Sequence, residues 1–169
     1  MNDPLDALLA VDHRGALEFF VVGLRDAAEG AVDRQELLYN ASVLAHYAQV
    51  STASDTDFPA PTNLGFVFDH FVCGVEQIAD SGVMETAGAQ CLLLAGFFAD
   101  QMRGRYNVEW YATLGAGFFR RAAAQEPSAK KARLLTAVAQ HFEPWRQTHE
   151  RLGRELRDRP YLVPRRQEP

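Results

Sequence analysis

The sequence predicts a single all-α domain, a bundle of about five to seven helices around a central antiparallel helix hairpin, and three observations carry that prediction. Apolar residues recur three and four apart through most of the chain, which places them on one helix face. Glycines and alanines punctuate the longest apolar run, where they let two helices approach closely. Proline, glycine and Asp/Ser-rich stretches separate the periodic segments at spacings suited to helix–helix connections. With 169 residues, 47% hydrophobic and 23% charged, the chain can bury one core and does not have the composition of a disordered segment. The domain is expected over 1–160, with 161–169 an extended tail in which Tyr161 and Leu162 tuck into a groove.

The first helical segment is expected from Pro4 to about Ala28, with a break near His13 and Gly15. Leu17, Phe20, Val21 and Leu24 form its stripe, and His13 reads as a solvated or capping residue. After Gly30, Asp33 and Glu36 have the form of a capping box, each side chain satisfying the other's backbone donor, so a second helix starts there and reaches about Ser51. Leu37, Ala41, Leu44 and Ala48 make one stripe on it, and Tyr39, Val43, His46 and Val50 another. Apolar residues on both sides imply a central helix, with His46 a hydrogen-bonded core residue facing packed side chains. Residues 53–63, ASDTDFPAPTN, read as a loop, and the helical spacing of Phe68, Phe71, Val75 and Ile78 favours a helix over a strand for 64–78.

The organising stretch is 85–124. Ala87, Cys91, Leu94, Phe98 and Met102 stripe its first helix; Val108, Tyr111, Gly115, Phe118 and Ala122 stripe its second. Glycine inside a helix costs about 1 kcal/mol relative to alanine, so Gly88, Gly96, Gly115 and Gly117 require a compensating gain, and close helix contact supplies it. RGRYN is a short connection, and Asn107 is placed to cap the second helix. Beyond Pro127, Ser128 is a cap for a last helix reaching toward Arg159. Leu135, Phe142, His149 and Leu156 lie seven apart, as do Val138, Trp145 and Leu152, and Pro144 predicts a kink or a division into two helices. The outer face, with Arg146, Glu150, Arg151, Arg154, Glu155, Arg157 and Asp158, offers ion pairs at helical spacing.

GAQCLLLAGFF followed by EWYATLGAGFF resembles a pattern of uncharacterised bacterial helical proteins, a glycine and leucines before Gly-Phe-Phe and then Tyr-Tyr, Leu-Gly and Ala-Tyr. Ala89, Trp110 and Phe118-Phe119 depart from it, at places where an Asp, a Tyr and Ala-Tyr are usual. The resemblance covers about forty residues and implies a helical structure, with no activity and no functional residue attached to it.

The formal charge of −5 conceals a division. Residues 1–100 hold fifteen acids against three arginines, a balance of −12, while 101–169 hold fourteen bases against seven acids, a balance of +7. The sign changes near Asp100 and Arg103, so the 103–107 turn marks a boundary between acidic and basic surfaces. Opposite charges of this kind face one another across a fold or a dimer, and the scatter of arginines among acids argues against a nucleic-acid surface.

The sequence carries no cofactor motif. Glu-x-x-His pairs of a di-iron bundle are absent, as are a His-Glu-x-x-His run and a phosphate loop. Cys73 and Cys91 sit in apolar runs and read as buried reduced thiols. Cys91 to Ala99, the longest apolar run, is far shorter than the ~20 residues that cross a bilayer as a helix. Asp3 and Asp6 stand where a signal peptide would carry bases, so a cytoplasmic location without membrane attachment is expected. The leading expectation is a non-enzymatic interaction module, an adaptor, regulator or assembly subunit that self-associates or takes a protein partner. The alternative is a small-ligand or metal-binding bundle, catalytic or not, built on His46 and His149. The interaction or ligand positions are therefore His46, His149, Arg103, Arg105, Tyr106, Trp110 and Tyr111.

Overall fold

The computed structural model describes residues 13–53 and 81–158, and every regular element among them is helical. The order is α1 (His13–Ala27), α2 (Arg34–Ala53), α3 (Ser81–Leu92) continuing as a π-helical turn (Leu93–Phe97), α4 (Ala99–Met102), α5 (Val108–Gln125), α6 (Ala129–Gln140) and α7 (Phe142–Asp158). Ala53, expected to open the 53–63 loop, still belongs to α2; the rest of that loop, the expected helix over 64–78, Cys73, the segment before His13 and the 161–169 tail lie outside the described residues. No described helix is long and apolar enough to cross a membrane.

The helix ends follow local chemistry. Gly30 adopts φ +102°, a left-handed conformation that glycine enters without a Cβ penalty, and it ends the α1 turn. The α1 carboxyl end also receives the Arg151 side chain, whose Nε donates to the Ala27 carbonyl at 2.8 Å. Asp33 Oδ1 accepts from the backbone N–H groups of Gln35 and Glu36, at 2.9 and 3.0 Å. Asn107 Oδ1 accepts from Trp110 N at 3.0 Å, and Ser128 Oγ from Lys131 N at 3.4 Å, so both expected caps form. Pro144 does divide the last segment. The chain turns at His141, and the proline falls in the first turn of α7, where a missing N–H costs nothing.

The α3–α5 pair is the antiparallel hairpin. A Cβ built on Gly88 would stand 2.9 Å from the Phe119 ring, and one on Gly115 would stand 2.8 Å from Cys91 Cβ, so α5 descends as α3 rises. Gly96 is as tight, against His149 Cβ at 2.9 Å. Gly117 is the exception: nothing lies within 4 Å, and close packing does not account for it. The tightest contact involves a glycine absent from the sequence argument, Gly153, whose added Cβ would lie 2.3 Å from the Phe97 carbonyl oxygen.

Two apolar clusters flank the α3 axis. Met84, Cys91, Leu94, Phe119, Leu135, Val138 and Phe142 fill one, between α3, α5 and α6. Phe20, Leu24, Leu44, Leu93, Phe97, Trp145 and Leu152 fill the other, between α1, α2 and α7. Every residue from Cys91 to Phe97 is buried, as a helix with a core on each side requires. The π turn serves the same end. Phe98 N donates to Leu93 O, five residues back, at 2.9 Å, and the extra residue shifts the face that the following side chains present. Arginines of α7 reach carbonyls of this turn: Arg146 Nη1 donates to Ala95 O at 3.0 Å and Arg157 Nη1 to Phe97 O at 3.4 Å.

Candidate functional site

α2 and α3 run side by side in the same direction, Tyr39 meeting Glu85 near one end and the Tyr47 ring meeting Phe98 near the other. Between them lies a cleft of about 340 Å³. From α2 come Tyr39, Ser42, Val43, His46 and Tyr47; from α3 come Glu85, Thr86, Ala89, Gln90 and Leu93. Val43, Tyr47, Ala89 and Leu93 make an apolar floor, and the other side chains give it polar walls. Tyr39 Oη donates to Glu85 Oε1 at 2.8 Å, and Lys131 Nζ holds Glu85 Oε2 at 2.9 Å. Burial, reinforced by the Glu85 charge and hydrogen bond, pushes the Tyr39 phenol far above its ordinary range, so it remains a neutral donor.

His46 belongs to this cleft and not to a packed core. The sequence placed it on an apolar stripe with Tyr39 and Val43, and that stripe does exist, but it faces the cleft and leaves the imidazole exposed. Periodicity identifies residues that share a face without identifying what stands opposite.

His149 is the core histidine. It is fully buried, and Nε2 lies 2.9 Å from Asn40 Oδ1. Asn40 Nδ2 donates to Glu36 O at 2.8 Å, which orients the amide with its oxygen toward the ring. Nε2 must therefore carry the proton, leaving Nδ1 as a bare acceptor, and it has no partner among the described residues. Burial pushes the imidazole pKa down to about 3, so it is neutral at physiological pH. The partner of His149 is thus an amide, and His149 does not line the His46 cleft, so the two histidines of the ligand-binding alternative do not share one site.

One turn from Asn40, the Glu36 carboxylate corrects a second expectation. It does not return to the backbone of Asp33. Buried to 6% exposure, Oε1 accepts from Trp145 Nε1 at 3.2 Å and lies 2.7 Å from His141 Nδ1. Glu36 and Asn40 on α2 thus meet His141 at the α6–α7 turn and Trp145 and His149 on α7, in a ladder whose members are spaced four residues apart on each side. Its polar groups tie α2 to the α6–α7 turn and to α7. No group of three His, Cys, Asp or Glu able to hold a metal occurs among the described residues. Protein-family models, curated proteins and solved structures yield no match to this chain. What the site can do therefore rests on its own residues.

The remaining candidates gather at the α4–α5 turn, away from the cleft. Gly104 takes φ +96° there, which only glycine adopts without strain. Arg103 bonds Asp100 at 3.1 Å and Glu150 at 2.7 Å, so its charge is engaged within the chain. Arg105 is exposed, and Tyr106 is half-buried against the first cluster. Trp110, 42% exposed, meets Tyr111 edge-on with ring centroids 4.8 Å apart. The Tyr111 phenol is raised, chiefly by burial. Cys91 is a buried free thiol pushed up to about 12 by burial, a state with almost no nucleophilic thiolate.

Proposed function

We propose that this chain is a helical bundle that binds a small ligand in the α2–α3 cleft. The supporting observation is the cleft itself, an apolar floor under His46, Ser42, Gln90 and the Tyr39–Glu85 pair, within the size range of small-molecule sites. Part of the charge division that favoured an interaction module is used inside the fold. Asp100 pairs with Arg154 and Arg157, Glu85 with Lys131, and Glu29 with Arg151, each an acid of the first hundred residues against a base of the remainder. Ligand-observed NMR of the purified chain against a fragment library tests the reading. Binders should appear, and Ser42→Trp, which adds bulk at an exposed wall position, should abolish them while leaving the circular dichroism spectrum intact. Binders indifferent to that substitution would remove the assignment to this cleft.

Self-association is the second reading, and a groove between α1 and α7 favours it. Phe19, Val22, Leu152 and Leu156 give this groove an apolar lining, with Val22 46% exposed, and Glu18, Asp26 and Glu155 supply acid. Arg120, Arg121, Lys130 and Arg133 are exposed along the end of α5 and the start of α6. An acidic groove and a basic edge on one chain suit a second copy docked head to tail. Sedimentation at low salt should then show an assembly that dissociates as salt rises and is lost in Val22→Glu. A monomer at every ionic strength would eliminate it.

A further inference from the structure

We infer that the ligand of the α2–α3 cleft carries an amino head on an apolar body, an assignment that rests on the ligand-binding reading above. The argument is an account of hydrogen-bond donors. Ser42 Oγ donates to the Tyr39 carbonyl at 2.6 Å, Thr86 Oγ1 to the Gly82 carbonyl at 2.9 Å, and Tyr39 Oη to Glu85 at 2.8 Å. A hydroxyl has one proton to give, so these three groups offer an incoming molecule only lone pairs. Gln90 adds a side-chain carbonyl oxygen that is buried without a donor among the described residues. An unpaired buried acceptor is costly and gains most from a ligand N–H.

Charge points the same way. Glu85 is a carboxylate of the cleft wall, and the cation opposite it, Lys131, is shared with Glu126 at 3.9 Å. The three groups together keep a net negative charge beside the cleft. His46, exposed at the same cleft, and the Gln90 amide nitrogen can each donate as well, so the preference rests on the charge and on the buried Gln90 oxygen. An ammonium group brings three donors for the Gln90, Ser42 and Thr86 oxygens and a charge opposite to that of Glu85, whereas a carboxylate or phosphate would be repelled by Glu85 and leave the buried Gln90 oxygen unpaired. Val43, Tyr47, Ala89 and Leu93 receive the hydrocarbon or aromatic part. The volume of about 340 Å³ suits a small amine and not a nucleotide-sized molecule.

The experiment uses three probes of matched shape, phenethylamine, phenethyl alcohol and hydrocinnamate, titrated into the purified 169-residue chain by calorimetry. Phenethylamine should bind about tenfold or more tighter than the alcohol, the difference a charge-assisted bond makes, and hydrocinnamate should not bind. Gln90→Leu should weaken the amine about tenfold while leaving the protein as stable or more so, because it removes an unsatisfied acceptor. Ser42→Ala, at an exposed position, gives an independent second variant with the same direction of effect. Equal or tighter binding of the alcohol or of hydrocinnamate would overturn the amino assignment and leave the ligand-binding reading standing. Amine binding unchanged in both variants would overturn the cleft as its location. If no probe binds, the amino assignment falls, and the fragment screen decides the broader reading separately.

Discussion

A neutral imidazole in the core gives His149 a measurable signature. Its pKa in the fold, about 3, lies below the ordinary 6.5, so the unfolded chain binds the proton first. The resulting stability is fully present above pH 6.5 and is lost as pH falls from 6.5 toward 3, at about 1.4 kcal/mol per unit. Asp100 does not interfere in the upper part of that window. Its hydrogen bond to Arg154, opposed in part by desolvation, lowers its pKa to about 2, so its contribution is lost only as pH falls below its ordinary 3.8. Urea midpoints at pH 7 and pH 5 should therefore differ in the native protein and differ less in His149→Gln, which keeps a donor for Asn40. An unchanged difference would place the acid sensitivity elsewhere. The Asn40 partner offers a second check through a mutant cycle. Asn40→Leu and His149→Leu should each cost ~1–3 kcal/mol by leaving the other side chain unpaired in the core, and the double variant should recover much of the loss.

Glycines separate the helices into those held by backbone approach and those held by side chains alone. Gly153→Ala forces a methyl against the Phe97 carbonyl at 2.3 Å, a backbone atom fixed by the π turn and by Arg157. The cost should reach at least ~2 kcal/mol in thermal or urea unfolding, in the overpacking range. Gly117→Ala meets nothing within 4 Å and has an ordinary helical backbone, so it should stabilise α5 by ~0.5–1 kcal/mol. If both variants behaved alike, close packing would not be the reason for either glycine. This contrast also marks what was legible in the sequence. The heptad-spaced Leu135, Val138, Phe142, Trp145, His149, Leu152 and Leu156 are all buried, because spacing fixes the inner face whether the helix is whole or divided at Pro144. Gly153 was readable on the same grounds, four residues after His149 and three before Leu156. The π turn was not, since its register depends on α7 contacts that are distant in sequence. Nor was the direction of Glu36, because Asp-x-x-Glu describes a carboxylate able to turn back to the cap or inward to Trp145, and the choice belongs to the packed α7.

Charge is organised at the scale of the whole molecule, and there the sequence pattern has a definite use. The acidic first hundred residues and the basic remainder meet where α4 crosses α7, where Asp100 accepts from Arg154 at 2.9 Å and Arg157 at 2.7 Å; beside them Glu150, an acid of the second part, takes Arg103 at 2.7 Å. Arg146 joins the same network through Glu143 at 2.6 Å and Glu150 at 3.2 Å while bonding the π turn. The network therefore fastens α7 across the one irregular turn of the central helix, where the backbone ladder is weakest. Exposed pairs of this kind are individually modest and are screened by salt, but several sharing one carboxylate act together. Asp100→Asn keeps the shape and removes the shared charge. It should lower the unfolding temperature in low salt and shrink the further loss that the native protein undergoes when sodium chloride is raised from about 0.05 M to 1 M. Because both proteins have nearly the same net charge, general self-repulsion affects them equally and the difference isolates the network. Hydrogen exchange should localise the weakening to α4, the π turn and α7, leaving α5 and α6 protected. A uniform loss across all helices, or a salt response identical in the two proteins, would mean that the opposed halves of the sequence contribute little to holding the fold and remain available to a partner.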